Sequence, residues 1–281
     1  MKLCRYGKDG NEKPGMIDAL GKLRDLSKVT GSLDAEALSP RNLARITKIK
    51  PETLPIVTGN PRFGVPFDGI SKYVAIGLNY SDHAAEAGMA VPTEPIIFIK
   101  ATTSICGPND DTVMPRNATK LDWECELAIV IGTKAQYVSE EDSLNYVAGY
   151  CVANDVSERA FQLQSSQWDK GKGCDTFGPI GPWLVTADEI PDPQNLEMWL
   201  DVNGQRMQAG NTRTMIFGVR KIISYCSQYM TLLPGDVICT GTPPGVGMGK
   251  KPNPIWLKVG DVVTLGIEGL GQQQQTVVAS I

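Results

Sequence analysis

LDWECELAIVIG, residues 121–132, limits what this chain can fold into more than any other stretch. Leu121, Trp123, Cys125, Leu127, Ile129 and Ile131 alternate with Asp122, Glu124 and Glu126, a period of two that selects a strand over a helix. The apolar face demands a core to cover it. The acidic face sets carboxylates roughly 7 Å apart along the strand. Such neighbours repel unless water screens them or a cation lies between them. A solvated outer face is the ordinary outcome, a divalent-metal site the sharper one, and this segment alone leaves both open.

The strand signal recurs along the chain. YVAIGLN, PIIFIKA, YVAGYCVAN, WLVTAD, MWLDV, DVICTG and DVVTLGIEG are short apolar or alternating runs bounded by turn residues. Asn203-Gly204, between EMWLDV and QRMQ, is the dipeptide of a two-residue hairpin turn. One long helix is expected at about 213–233, closed by Pro234-Gly235. Nearer the N-terminus, MKLCRY, PGMIDA and LRDL read as strands and SPRNLARITKI as a polar helix. TGNPRFGVPFDG then packs three Gly and two Pro into twelve residues and marks a connection. The expected architecture is α+β and mainly β, not doubly wound, with a small N-terminal α+β module at 1–65 and a β-rich domain at 70–281.

Composition removes several function classes. A net charge of -4 gives no electrostatic reason to expect nucleic acid or an anionic membrane as partner. No apolar run approaches the roughly 20 residues that span a bilayer, and MKLCRYGKDG lacks a signal-peptide core. The seven cysteines are scattered, without a C-x-x-C pair, so neither a zinc ribbon nor a disulfide framework is supported and a reducing cytoplasm is expected.

The chain has one histidine, His83, which excludes a three-His zinc site and makes this residue the only imidazole base available. It sits in GLNYSDHAAEAG, where a strand gives way to a short helix, with Glu86 three residues on and on the same helical face. A carboxylate bonded to an imidazole fixes its tautomer and raises its basicity, as a general base requires; a surface His at a helix start is the blander alternative. Asp155, at the end of YVAGYCVAN, invites two readings as well. It can cap a helix with Glu158 as the reciprocal partner, or it can project from the strand end and complete a carboxylate set with Glu124 and Glu126. Three carboxylates without thiol or imidazole select a hard ion: Mg²⁺, Mn²⁺ or Ca²⁺. Arg159 and Gln162, at spacing three, would face the same pocket, where Arg can clamp a substrate carboxylate through two bonds. Lys172 stands in the Gly-rich turn KGKGCDTFG, where a solvated lysine is the default. TGTPPGVGMGK, at 240–250, is not a phosphate loop: Pro244 stands where a Walker loop needs Gly, Lys251 stands where it needs Ser or Thr, and Pro243 and Pro244 lack amide donors.

Taken in order, GLNYSDHAAEAG, DWECELAIVIG, NDVSERAFQ, KGKGCDTFGPIGPW and TGTPPGVG resemble the fumarylacetoacetate hydrolase superfamily over about residues 70–281. Within it the chain is most similar to bacterial 2,4-diketo-3-deoxy-sugar-acid (L-rhamnonate or L-fuconate) hydrolases, some carried under the name ureidoglycolate lyase. The resemblance implies a mixed β-sandwich roll in a homodimer. It implies metal carboxylates at Glu124, Glu126 and Asp155, a His83–Glu86 dyad, a catalytic Lys172, and substrate contacts at Arg159, Gln162, Thr176 and Thr242. Fumarylacetoacetase itself has a fourth acidic ligand upstream of its histidine. Asn79 and Tyr80 occupy the matching region here, which favours the smaller acylpyruvate-type members.

The implied activity is divalent-metal-dependent hydrolysis of a 2,4-diketo acid, a small keto acid, to pyruvate plus a second acid. Two alternatives stand beside it: a ureidoglycolate lyase giving glyoxylate and urea, and a metal- or ligand-binding protein without turnover.

Overall fold

Among the described residues the alternating runs build a larger and a smaller mixed sheet, beside a two-stranded one. In the computed structural model, which describes residues 1–82 and 90–280, nine strands of the larger sheet follow the order Leu23–Asp25, Lys13–Ile17, Lys2–Tyr6, Gly178–Thr186, Val147–Asn154, Cys125–Ile131, Val237–Cys239, Tyr73–Gly77, Ile96–Lys100. Ile105–Cys106 pairs with Gly178–Thr186 off this path. The smaller sheet runs Gln205–Asn211, Glu197–Val202, Val262–Ile267, Gly271–Ala279, Thr112–Met114. Asn203 and Gly204 turn the hairpin with φ of 51° and 77°, the left-handed pair that a two-residue turn requires.

Both faces of the larger sheet are covered. Leu127, Ile129 and Ile131 pack against Leu200, Leu265 and Ile267 of the smaller sheet. Ala128 and Val130, on the opposite face by strand alternation, join Leu26, Leu38, Ile46 and Phe67 from the N-terminal segment. That double cover overturns the solvated acidic face. Asp122, Glu124 and Glu126 are 0%, 6% and 2% exposed. Nor do they lie on one continuous strand: Leu121–Asp122 pairs with Ser157–Glu158, strand pairing is interrupted at Trp123–Glu124, and Cys125–Ile131 then enters the larger sheet.

The long helix is shorter than its pattern predicts, Val219–Tyr229 in place of 213–233. Asn79 takes the upstream residues out of it: its carbonyl accepts from Ile216 N–H at 2.7 Å and its side chain accepts from Phe217 N–H at 2.8 Å. At the far end Leu232 exchanges two backbone bonds with Ala135, each 2.9 Å, which holds the chain extended. Within the helix Val219, Ile222, Ile223 and Cys226 form the buried stripe.

The N-terminal segment is joined to the main sheet. Lys2 and Leu3 register with Val185 and Leu184, and within the expected connection Gly64 N–H donates to Arg5 O at 2.9 Å. Among the described residues no helix is long and apolar enough to cross a membrane.

Candidate metal centre and its pocket

Three backbone devices bring the acids together. Ala153 registers with Glu126 and Asn154 with Cys125, so the end of one strand meets the start of its antiparallel neighbour. Where the strand is interrupted, the Asn154 side chain accepts from Glu124 N–H at 3.0 Å, and Asp155 N–H donates to Glu124 O at 2.9 Å. Gly241, at φ 93°, donates its N–H to Glu126 Oε2 at 2.7 Å. A side chain at 241 would lie 2.9 Å from Asn79 Cβ, so only glycine carries that amide to the carboxylate. Glu124, Glu126 and Asp155 thereby each present an oxygen within 4.8 Å of the others, all three residues buried.

Among the described residues, three cations surround them. Lys172 Nζ donates to Glu124 Oε2 and Asp155 Oδ2, each at 2.7 Å. Arg159 donates from Nη2 to Glu124 Oε1 at 2.5 Å, from Nε to Asp122 Oδ2 at 2.8 Å, and from Nη1 to Gln162 Oε1 at 3.0 Å. Lys100, fully buried, donates to Asp155 Oδ1. The Lys172 ammonium also lies 5.4 Å from the Phe98 ring centroid.

The acids divide electrostatically. Burial by itself raises the pKa of Glu124, but Lys172 and Arg159 outweigh it and hold the group well below the usual carboxylate range. Burial raises Glu126 far above that range, and the charges of Asp155 and Glu124 push it the same way. Burial opposes the charge on Lys172, yet Asp155 and Glu124 keep its pKa above the ordinary lysine value. Glu126 is thus the acid that the described cations leave undercompensated, and among the described residues its hydrogen-bond partner is a backbone amide. A hard divalent ion fits a carboxylate-only donor set with that imbalance.

Asp122, the third acid of the opening stretch, is an anchor for neighbouring loops. It accepts from Gly247 N–H at 2.6 Å and Met248 N–H at 3.1 Å, and it orients Arg159. The capping reading of Asp155 fails too. Glu158 caps the short helix Arg159–Gln162 by accepting from Ala160 N–H at 3.0 Å.

The carboxylates Glu124 and Glu126 open on a cavity of about 200 Å³, with Arg159, Gln162, Lys172 and Thr242 also on its wall. The Thr242 hydroxyl is spent on Cys125 O and Gln208 Nε2. Thr176 does not line this cavity; at φ 66° it accepts from Val113 N–H at 2.8 Å. His83 and Glu86 lie outside the described residues. Asn79, in the region where the resemblance implies no fourth acid, uses its side chain on Phe217 and Thr240 backbone. Sequence reasoning missed Lys100, because a lysine closing the run PIIFIK looks like an ordinary strand end. It also missed Phe98 and Trp168, which pack edge to face at 5.4 Å on the cavity wall.

Residues 72–278 match the family described as "Fumarylacetoacetate (FAA) hydrolase C-terminal". A relative from Burkholderia cenocepacia, under the name "Putative hydrolase", is 60% identical over 277 residues, 98% of each chain. Among solved structures, a fumarylacetoacetate hydrolase from psychrophilic Exiguobacterium antarcticum is 36% identical, with a TM-score of 0.87 and 100% of both chains covered. The maleylpyruvate hydrolase from Sphingobium sp. SYK-6, solved in complex with manganese(II) ion and pyruvate, is 29% identical, with a TM-score of 0.83 and 100% of both chains covered.

Proposed function

The chain belongs to the fumarylacetoacetate hydrolase family, and from that premise we propose that it is a divalent-metal-dependent hydrolase cleaving a carbon–carbon bond of a 2,4-diketo acid to pyruvate and a second acid. The observation that carries the reading is the buried triad Glu124, Glu126 and Asp155, with Lys172 bridging Glu124 and Asp155 and both glutamates on the wall of a small cavity. These three carboxylates would hold Mg²⁺ or Mn²⁺, with Ca²⁺ open to the same donor set. When bound, the ion supplies Lewis-acid polarisation of the substrate's carboxylate and 2-oxo oxygens.

The protein's own groups do the rest. Arg159, held in place by Asp122, and the Gln162 amide are the donors for the substrate carboxylate. His83, oriented by Glu86, takes the proton from the water that adds to the 4-carbonyl carbon. As the C3–C4 bond breaks, its electron pair passes into a pyruvate enolate, and the Lys172 ammonium offsets the charge until C3 is protonated. A cytoplasmic homodimer is part of the same proposal, and the mass in solution checks the assembly.

The test is a side-by-side assay of the metal-loaded protein. Pyruvate release from acylpyruvates and diketo sugar acids is measured against glyoxylate and urea release from ureidoglycolate. Pyruvate release at the higher kcat/KM is expected; faster ureidoglycolate cleavage replaces the hydrolase with a lyase.

A further inference from the structure

The lining of the cavity is lopsided. Its charged groups gather around the carboxylate triad, and much of the remaining wall is Ile76, Leu78, Phe98, Leu163, Trp168 and Met248. Gly77 makes room for this wall, since a side chain there would run into the Trp168 ring. We propose that the substrate, beyond its 2-oxo acid head, ends in a short, uncharged apolar group, and that Leu78, Phe98, Leu163 and Trp168 determine this specificity. The proposal deepens the hydrolase reading and rests on it for the identity of the head.

Charge argues first. Arg159 and Lys172 each already hold two carboxylates. No other lysine or arginine lines the cavity among the described residues, and residues 83–89, HAAEAGM, contain neither type. Lys170, close in sequence, is exposed and bonded to Gln164. A second carboxylate at the tail would therefore meet no further lysine or arginine on this apolar wall among the described residues, which is strongly unfavourable. Hydrogen bonding argues the same way against a polyhydroxylated tail. The Thr242 hydroxyl is committed on both sides and Gln162 has already given its oxygen to Arg159. Size makes the tail short: about 200 Å³ is less than the roughly 300–1,000 Å³ of pockets for larger ligands.

Binding separates the tail from the chemistry. The full-length chain, loaded with Mn²⁺, is titrated calorimetrically with 2-oxobutanoate, 2-oxopentanoate, 4-hydroxy-2-oxopentanoate and 2-oxoglutarate, while pyruvate release from acylpyruvates is assayed in parallel. We expect 2-oxopentanoate to bind about fourfold more tightly than 2-oxobutanoate, the increment for one buried methylene. It should bind at least about tenfold more tightly than 2-oxoglutarate, which has the same carbon skeleton and a terminal charge. Leu163 is 62% exposed at the wall, so L163K leaves the fold intact, and it should shrink the 2-oxoglutarate deficit at least about fivefold. Equal or tighter binding of 2-oxoglutarate or of the hydroxylated acid, or no binding of any of the four, overturns the apolar tail. The expected order without pyruvate release from any diketo acid supports the tail and removes the hydrolase reading.

Discussion

Lys172 and a divalent cation would draw on the same two carboxylates, Glu124 and Asp155. Lys172→Met should therefore act in opposite directions on metal and on chemistry. Without the ammonium, two buried carboxylates lose a partner, and the metal-free protein should lose about 3 kcal/mol of stability, the lower end for breaking a buried pair because Arg159 and Lys100 remain. Mn²⁺ should recover most of that loss and bind several-fold more tightly, while pyruvate release falls by at least about 10². Urea unfolding with and without Mn²⁺, and Mn²⁺ titration followed by electron paramagnetic resonance, read these quantities. Affinity that falls together with activity would show that Lys172 holds the site open instead of competing for it. Asp122→Asn probes the neighbouring layer: Arg159 loosens, so kcat/KM should fall about tenfold with Mn²⁺ affinity unchanged. Changed affinity would instead place Asp122 among the groups that shape the metal site. Much of this site can be read from the chain, since spacing two and a strand end suffice to nominate Glu124, Glu126 and Asp155. Lys100 cannot be read that way, because a buried ion pair with Asp155, 55 residues away, leaves no local pattern.

Elements reach the site through close approaches that sequence punctuation only hints at. Gly171 lies in the short helix Asp169–Lys172, where a Cβ would sit 2.5 Å from Gln162 N and 2.6 Å from Glu158 O. That contact lets this helix lie against Arg159–Gln162 and so brings Lys172 and Arg159 to one carboxylate, Glu124. Gly171→Ala should push the two helices apart, costing about 1–3 kcal/mol as overpacking does, and lowering kcat/KM at least about tenfold. Gly31→Ala is the control, since nothing lies within 4 Å of its Cβ, and its stability should stay within about 0.5 kcal/mol. Thermal unfolding and turnover of the two variants check this, and a silent Gly171→Ala would mean that the helix packing is slack. The strands were legible because alternation is local and Asn203-Gly204 names its own turn. The helix at 213–233 was overextended because its start is set by Asn79, more than 130 residues upstream. Strand alternation likewise could not show the break at Trp123–Glu124, which side-chain bonding from Asn154 makes tolerable.

At the scale of the whole molecule, the segment 1–65 has no catalytic motif, yet the structure gives it a place under the site. Tyr73, Ala75, Ala128 and Cys239 face the same cluster as Leu3, Met16, Leu26, Leu38 and Ile46. Tyr73 also lies beneath Lys100, with the ammonium 5.9 Å from its ring centroid, so the N-terminal core supports a residue that holds Asp155. Removing residues 1–65 would uncover this apolar face and free the edge of Gly178–Thr186 that Lys2 and Leu3 now pair. An exposed apolar sheet face beside an unpaired strand edge is an aggregation surface. The shortened chain 66–281 is expected to be insoluble, or soluble only with exposed hydrophobic surface and loosened tertiary packing. Leu38→Ala in the full chain is the milder version: a fully buried leucine on the sheet-facing core, whose loss should cost about 2–5 kcal/mol. Size-exclusion chromatography, dye binding and urea unfolding of both variants give the answer. A monodisperse 66–281 chain with a cooperative transition and Mn²⁺ affinity equal to that of the full protein would show that residues 70–281 fold alone, and that the N-terminal strands are an addition to the sheet instead of its support.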